Sequence, residues 1–118
     1  MTSISEIDQT VSYVFSVPSG WLRGKGRTKQ LTRARSCAMF LARNLTGMSL
    51  TEIGRYFSRD HTTVLHNVKR FRELVSSDGS LADKHGKAAS MLKGEGVMFF
   101  HMERAGVPVF RTTRVKGR

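Results

Sequence analysis

Arg59-Asp60-His61-Thr62-Thr63-Val64-Leu65-His66, continued by Asn67, Val68, Lys69, Arg70 and Phe71, is the stretch whose reading decides the fold. Asp60 offers the short acceptor that a helix N-cap needs. Val64, Val68, Phe71 and Val75 then recur at intervals of four, three and four residues, which places them on one apolar stripe of a helix. The opposite face carries Thr62, His66, Lys69 and Arg70. Short hydrogen-bonding groups, a methyl and cations grouped toward the start of a helix suit base edges and phosphates. The same pattern also describes an ordinary amphipathic surface helix. The neighbouring segments separate the two readings.

Just upstream, Ser49 and Glu52 form a capping box that opens a short helix with Leu50, Ile53 and Phe57 turned inward. Ser58-Arg59 is the connection to Asp60, so the segment Leu50 to Phe57, a tight turn and the segment His61 to Val75 compose a helix-turn-helix. Behind it, Ala34, Cys37, Ala38, Leu41 and Leu45 trace the stripe of a longer helix that starts near Thr32 and meets its end signal at Gly47. Cys37 lies on that stripe and reads as a small buried hydrophobe rather than a nucleophile.

Further upstream, Arg23-Gly24-Lys25-Gly26-Arg27-Thr28-Lys29-Gln30 is too rich in glycine and charge for regular structure and reads as a basic loop. Gly24 and Gly26 let its backbone approach a phosphate wall, and an arginine held there can reach into a minor groove. Before it, Ser3 and Glu6 make another capping box, followed by Ile4, Ile7, Val11, Val14 and Phe15 on one face of a first helix. Val17-Pro18-Ser19-Gly20 stops that helix, and Trp21 with Leu22 supplies an apolar anchor, Trp21 being expected in the core.

Charge supports a polyanionic partner. The 118 residues hold 20 Lys plus Arg against 9 Asp plus Glu, a formal net charge of +11. From Gln9 to Thr51 there is no acid, while Arg23, Lys25, Arg27, Lys29, Arg33, Arg35 and Arg43 fall inside that window. A single-signed run beside a helix-turn-helix favours nucleic acid over an acidic membrane surface. No apolar run approaches the ~18 residues of a membrane span, and Met1 to Thr10 lacks a secretory pattern. One cysteine excludes an internal disulfide and fits a reducing cytoplasm, so a cytoplasmic, nucleoid-associated protein is expected. His61 and His66 are five apart, the wrong spacing for a helical metal pair. The glycines near Lys25 lack the pattern of a nucleotide-binding loop, and no nucleophile motif occurs. No enzyme activity, cofactor, metal, nucleotide or membrane partner is therefore expected.

After Ser76-Ser77-Asp78-Gly79-Ser80, a loop, Ser80 and Asp83 are expected to cap a helix over 80–93 carrying Leu81, His85, Ala88 and Leu92, with His85 at the surface or in packing. Residues 97–112 suggest a β-hairpin around Glu103-Arg104-Ala105-Gly106, its second strand demoted to an edge by Pro108. A lone hairpin is marginal, so it is expected to pack on the helices or pair with another copy, which makes a homodimer through this extension a candidate arrangement. A basic tail, Arg114 to Arg118, closes the chain. The expected organisation is a helix-turn-helix domain over 1–77 and an extension over 78–118.

At this point the residues resemble the C-terminal, duplex-DNA-binding domain of the bacterial replication initiator DnaA. The resemblance runs from about Ile4 to Leu74 and rests on three segments. Lys25-Gly26-Arg27-Thr28-Lys29 is similar to that family's basic loop, Leu50-Thr51-Glu52-Ile53-Gly54 to its turn-entry helix, and Arg59 through His66 to its signature. Thr51 stands where proline is usual, Ser58 where glycine is usual, and the turn is one residue shorter.

The resemblance implies a mainly α fold, a helix-turn-helix bundle of the Trp-repressor type, binding an asymmetric double-stranded box of the TTATCCACA kind. It implies that Arg27 enters the minor groove while Asp60, His61 and Thr62 read base edges in the major groove. It places Arg35, Ser36, Arg43, Leu50, Thr51, Thr63, His66 and Lys69 on or near phosphates, and the basic loop adds Lys25 and Lys29. The ATPase portion of the family is expected to be missing from this chain. The expected function is sequence-specific duplex binding in control of replication initiation or transcription. The alternatives are a protein-interaction or dimerisation module working through the hairpin, and non-specific nucleic-acid binding.

Overall fold

The computed structural model describes residues 2–93, 101–103 and 107–109. Helix α1 spans Ile4–Val14, a 3₁₀ turn Trp21–Arg23, α2 Lys29–Leu45, α3 Leu50–Phe57, α4 His61–Ser77 and α5 Gly79–Lys93, before strands β1 His101–Glu103 and β2 Val107–Val109. The strands pair antiparallel with His101 opposite Val109 and Glu103 opposite Val107. The rest of the expected hairpin and the basic tail lie outside the described residues.

Local signals explain the helix starts. Ser3 with Glu6 and Ser49 with Glu52 form complete capping boxes, each side chain bonded to the other's backbone amide. Helix α2 starts earlier than expected, at Lys29 rather than near Thr32, because the Thr28 hydroxyl accepts from the Leu31 amide at 3.1 Å. The start of α5 also differs. Its cap is Asp78, whose carboxylate accepts from the Leu81 amide at 3.1 Å, and Ser80 lies inside the first turn. The Leu81 amide, followed by the charge of Arg33, holds the Asp78 carboxyl below the usual range.

Helix α2 runs through the middle and packs on α1, α4 and the 3₁₀ turn. Ile7, Val11, Leu22, Met39, Ile53, Phe57, Val64 and Phe71 are fully buried around it. Each of the larger side chains contributes roughly 1.5–3 kcal/mol by leaving water. Leu22, not Trp21, anchors the turn after α1. Trp21 is 55% exposed, which corrects its expected place in the core. Successive residues of a 3₁₀ turn point about 120° apart, so one of the two faces the core and the other leaves it, and Leu22 is the one inside.

Helix α5 shares this core. Leu81, Ala88 and Ala89 belong to the same buried cluster as Ile7 and Phe71, and Asp78 pairs with Arg33 of α2 at 2.9 Å. A division after residue 77 therefore cuts through continuous packing. His85 packs against the edges of Phe40 and Phe71 with ring centroids 5.4 and 5.6 Å away.

Candidate nucleic-acid interface

The helix-turn-helix is closed by a glycine and a left-handed serine. Ser58 ends α3 at φ 61° and ψ 41°, and the Arg59 amide donates to the Gly54 carbonyl at 2.8 Å. This brings the chain back over α3 so tightly that a Cβ on Gly54 would collide with the Arg59 carbonyl and lie 3.3 Å from Val64. Asp60 then caps α4, accepting from the Thr63 amide at 2.9 Å. That bond chiefly holds the Asp60 carboxyl below its usual range, with lesser help from Thr62 and His61. Asp60 is therefore an exposed, ionised acceptor. A carboxylate has acceptor sites enough to cap and still receive a further donor.

The basic loop is fixed from inside by Arg35. Its Nε donates to the Leu22 carbonyl at 2.8 Å, and its Nη2 lies 3.1 to 3.4 Å from the carbonyls of Gly26, Gly24 and Trp21. Arg59 reaches the same loop from the turn. Its Nη2 donates to Gly24 at 2.9 Å and its Nη1 to Phe57 at 2.7 Å. Burial, followed by the charges of Arg59 and Arg27, pulls the Arg35 guanidinium below its ordinary value. Three guanidinium groups thus gather at the junction of loop and turn. Among the described residues only Arg23 and Arg33 pair with carboxylates, so no ion pair neutralises this cluster.

Lys25, Arg27, Lys29, Arg43, Thr51, Asp60, His61, Thr62, His66 and Lys69 are exposed, and Leu50 and Thr63 are partly so. Arg43 bonds the Met48 carbonyl at 3.3 Å, which sets it beside the start of α3, near Leu50 and Thr51. Arg35 and Ser36 differ from their expected place. Both are buried, Arg35 to 5% exposure, and α2 turns Arg35 toward the 3₁₀ turn and loop rather than outward. Arg35 spends its Nε and Nη2 donors on backbone carbonyls and so shapes the loop.

Two structural contributors escaped the sequence reading. Arg59 left no pattern beyond standing before the cap. Asp8, 3% exposed, accepts from Tyr56 at 2.7 Å, Arg23 at 3.2 Å and Ser12 at 3.3 Å, which joins α1, the 3₁₀ turn and α3. Its signal was the Asp8–Ser12 spacing of four on the buried face of α1.

Fold, turn and cationic face together define a helix-turn-helix DNA-binding domain. More particularly, the chain belongs to the family of the bacterial dnaA protein helix-turn-helix, whose model it matches over residues 4–71. It is 43% identical over 82 residues to the chromosomal replication initiator protein DnaA of Ruegeria pomeroyi, an alignment covering 69% of this chain and 18% of that protein. The protein of the same name from Rhodopseudomonas palustris is 45% identical over 82 residues, 69% of this chain and 17% of its own length. That from Cereibacter sphaeroides is 42% identical over the same span, 69% and 18%. The chain thus spans less than a fifth of the length of these relatives. No helix among the described residues is long and apolar enough to cross a membrane.

Proposed function

We propose that the protein reads a DnaA-box-like sequence in double-stranded DNA and acts by binding rather than catalysis, in control of replication initiation or as a transcriptional regulator. The observation that carries this reading is the Arg59–Gly24 bond, which makes the basic loop and the start of α4 one rigid unit. With α4 in a major groove, Asp60, His61 and Thr62 meet base edges, while Arg27 reaches the adjoining minor groove. Asp60 can accept from a cytosine amino group, and the Thr62 methyl can touch a thymine methyl. Lys25, Lys29, Arg43, His66 and Lys69, with the backbone and side chains at Leu50, Thr51 and Thr63, serve the phosphates on either side. Arg35 supports the loop from beneath. Neither nucleotide nor metal enters this mechanism.

Salt titration of box binding by wild type and two variants tests the assignment. With about six phosphates engaged, log affinity should fall against log salt with a slope near −5. Arg27→Ala should weaken binding and relax preference at A·T positions. Lys69→Ala should weaken all sequences alike and flatten the slope by about 1. Uniform loss with Arg27→Ala would remove it from the reading set.

A further inference from the structure

A cleft of about 380 Å³ opens between the start of α2 and the start of α5. Phe15 and Leu81 supply its apolar side, and Lys29, Arg33 and Lys84 its charged side, with Asp78 the acid present. Asp78 is already engaged, bonded to Arg33 at 2.9 Å and to the Leu81 amide at 3.1 Å. Three cations against one carboxylate leave two positive charges without an acid. Lys84 is held in a defined place, its ammonium 5.4 Å from the centre of the Phe15 ring. No carboxylate among the described residues pairs with it or with Lys29.

The position of this cleft identifies the anion. Lys29 closes the basic loop and also forms the lip of the cleft, and Arg33 stands one turn further on the same face of α2, about 6 Å along the axis. Arg27 lies two residues before Lys29, so a duplex whose minor groove received Arg27 would pass close to that lip. We propose that the cleft receives a backbone phosphate of the same duplex outside the box, with Lys84 as the direct contact and the Arg33–Asp78 pair as the frame that fixes the two helices around it. This rests on the duplex-binding function proposed above and extends the footprint beyond the residues that the helix-turn-helix and loop supply. Duplex DNA carries one charge per ~1.7 Å of axis, so an unneutralised cleft beside its path releases counterions when filled.

The test uses the intact protein and two duplexes carrying the same box. One ends at the box boundary on the loop side, and the other extends there by about one helical turn, ~10 base pairs. Lys84→Gln should lose several-fold affinity on the extended duplex and flatten its salt slope by about 0.9, leaving the short duplex unchanged. Lys87→Gln, one turn beyond Lys84 on α5, exposed and outside the lining of the cleft, should change neither. Equal losses on both duplexes, no loss on either, or an equal flank effect from Lys87→Gln would overturn the proposal, the last by showing that net charge alone acts. Unaltered circular dichroism and thermal midpoint secure the comparison. Box preference is scored separately, as the wild-type ratio of box to scrambled duplex. Its failure removes the sequence-reading function and with it the register that defines the flank, whereas loss of the flank effect with box preference intact removes the cleft assignment alone.

Discussion

The Arg59 guanidinium donates to the Gly24 carbonyl at 2.9 Å, joining two parts of the chain 35 residues apart. The bond ties the turn that launches α4 to the loop that carries Arg27. Because Arg59 also holds the Phe57 carbonyl at 2.7 Å, one planar group sets the angle between the basic loop and the start of α4. Arg59→Ala should lower box affinity more than its distance from any base suggests, and lower stability by about 1–3 kcal/mol, the cost of two unmade charge-assisted bonds. Arg59→Lys should recover little of either, since an ammonium lacks the fork that spans both carbonyls. Urea denaturation and gel shifts on the three proteins check this. Wild-type affinity in a stably folded Arg59→Ala protein would dissociate the bond from DNA reading.

Gly54 sits inside α3, where alanine would ordinarily gain about 1 kcal/mol of helix propensity. Here a Cβ meets the Arg59 backbone and presses on Val64, and overpacking of this sort costs about 1–3 kcal/mol. The backbone contact cannot yield without opening the turn, so the steric cost should prevail. Gly54→Ala is expected to lower the urea midpoint; a raised midpoint would show that the turn relaxes freely.

Ser58 adopts the left-handed conformation at φ 61° without glycine's freedom. The strain of that region is about 1–2 kcal/mol for an L-residue, while glycine brings an unfolded-state entropy cost of about 0.5–1 kcal/mol. The difference predicts that Ser58→Gly stabilises the domain by up to about 1 kcal/mol. Thermal denaturation of the single variant measures it directly, and unchanged or reduced stability would contradict the balance.

His85 gives the fold an acid-sensitive component. Burial against Phe40 and Phe71, followed by the charge of Lys93, lowers its folded pKa, so the native state resists protonation. The unfolded chain takes up its proton first, near pH ~6.5. Stability from this group is therefore intact above that pH and falls on acidification until the lower folded pKa is passed. His85→Phe should reduce the slope of stability between neutral and mildly acidic pH. A slope identical to wild type, from urea titrations at several pH values, would place the sensitivity elsewhere.

The helices were legible because their signals are local. Ser3 with Glu6, Ser49 with Glu52, and Asp60 each needed only a neighbour three residues away, and the stripe of Val64, Val68 and Phe71 required only helical spacing. What stayed illegible depends on contacts between distant segments. A run of cations cannot show that α2 rotates Arg35 inward to carbonyls 9 to 14 residues upstream while Lys29 stays outside. Likewise the Trp21-Leu22 pair does not state which member enters the core. Asp78 and Ser80 are both acceptable caps, and the pairing with Arg33, 45 residues away, favours the former.

Competition gel shifts at one fixed salt concentration, with labelled TTATCCACA duplex challenged by unlabelled box, scrambled duplex and RNA, test the central claim most directly. A helix-turn-helix that reads bases predicts that box competes at least 10³-fold better than scrambled duplex, near the lower bound for specific readers, and that RNA competes no better than scrambled DNA. Equal competition by box and scrambled duplex, or RNA matching the box, would contradict it and leave a charge-driven, sequence-indifferent binder.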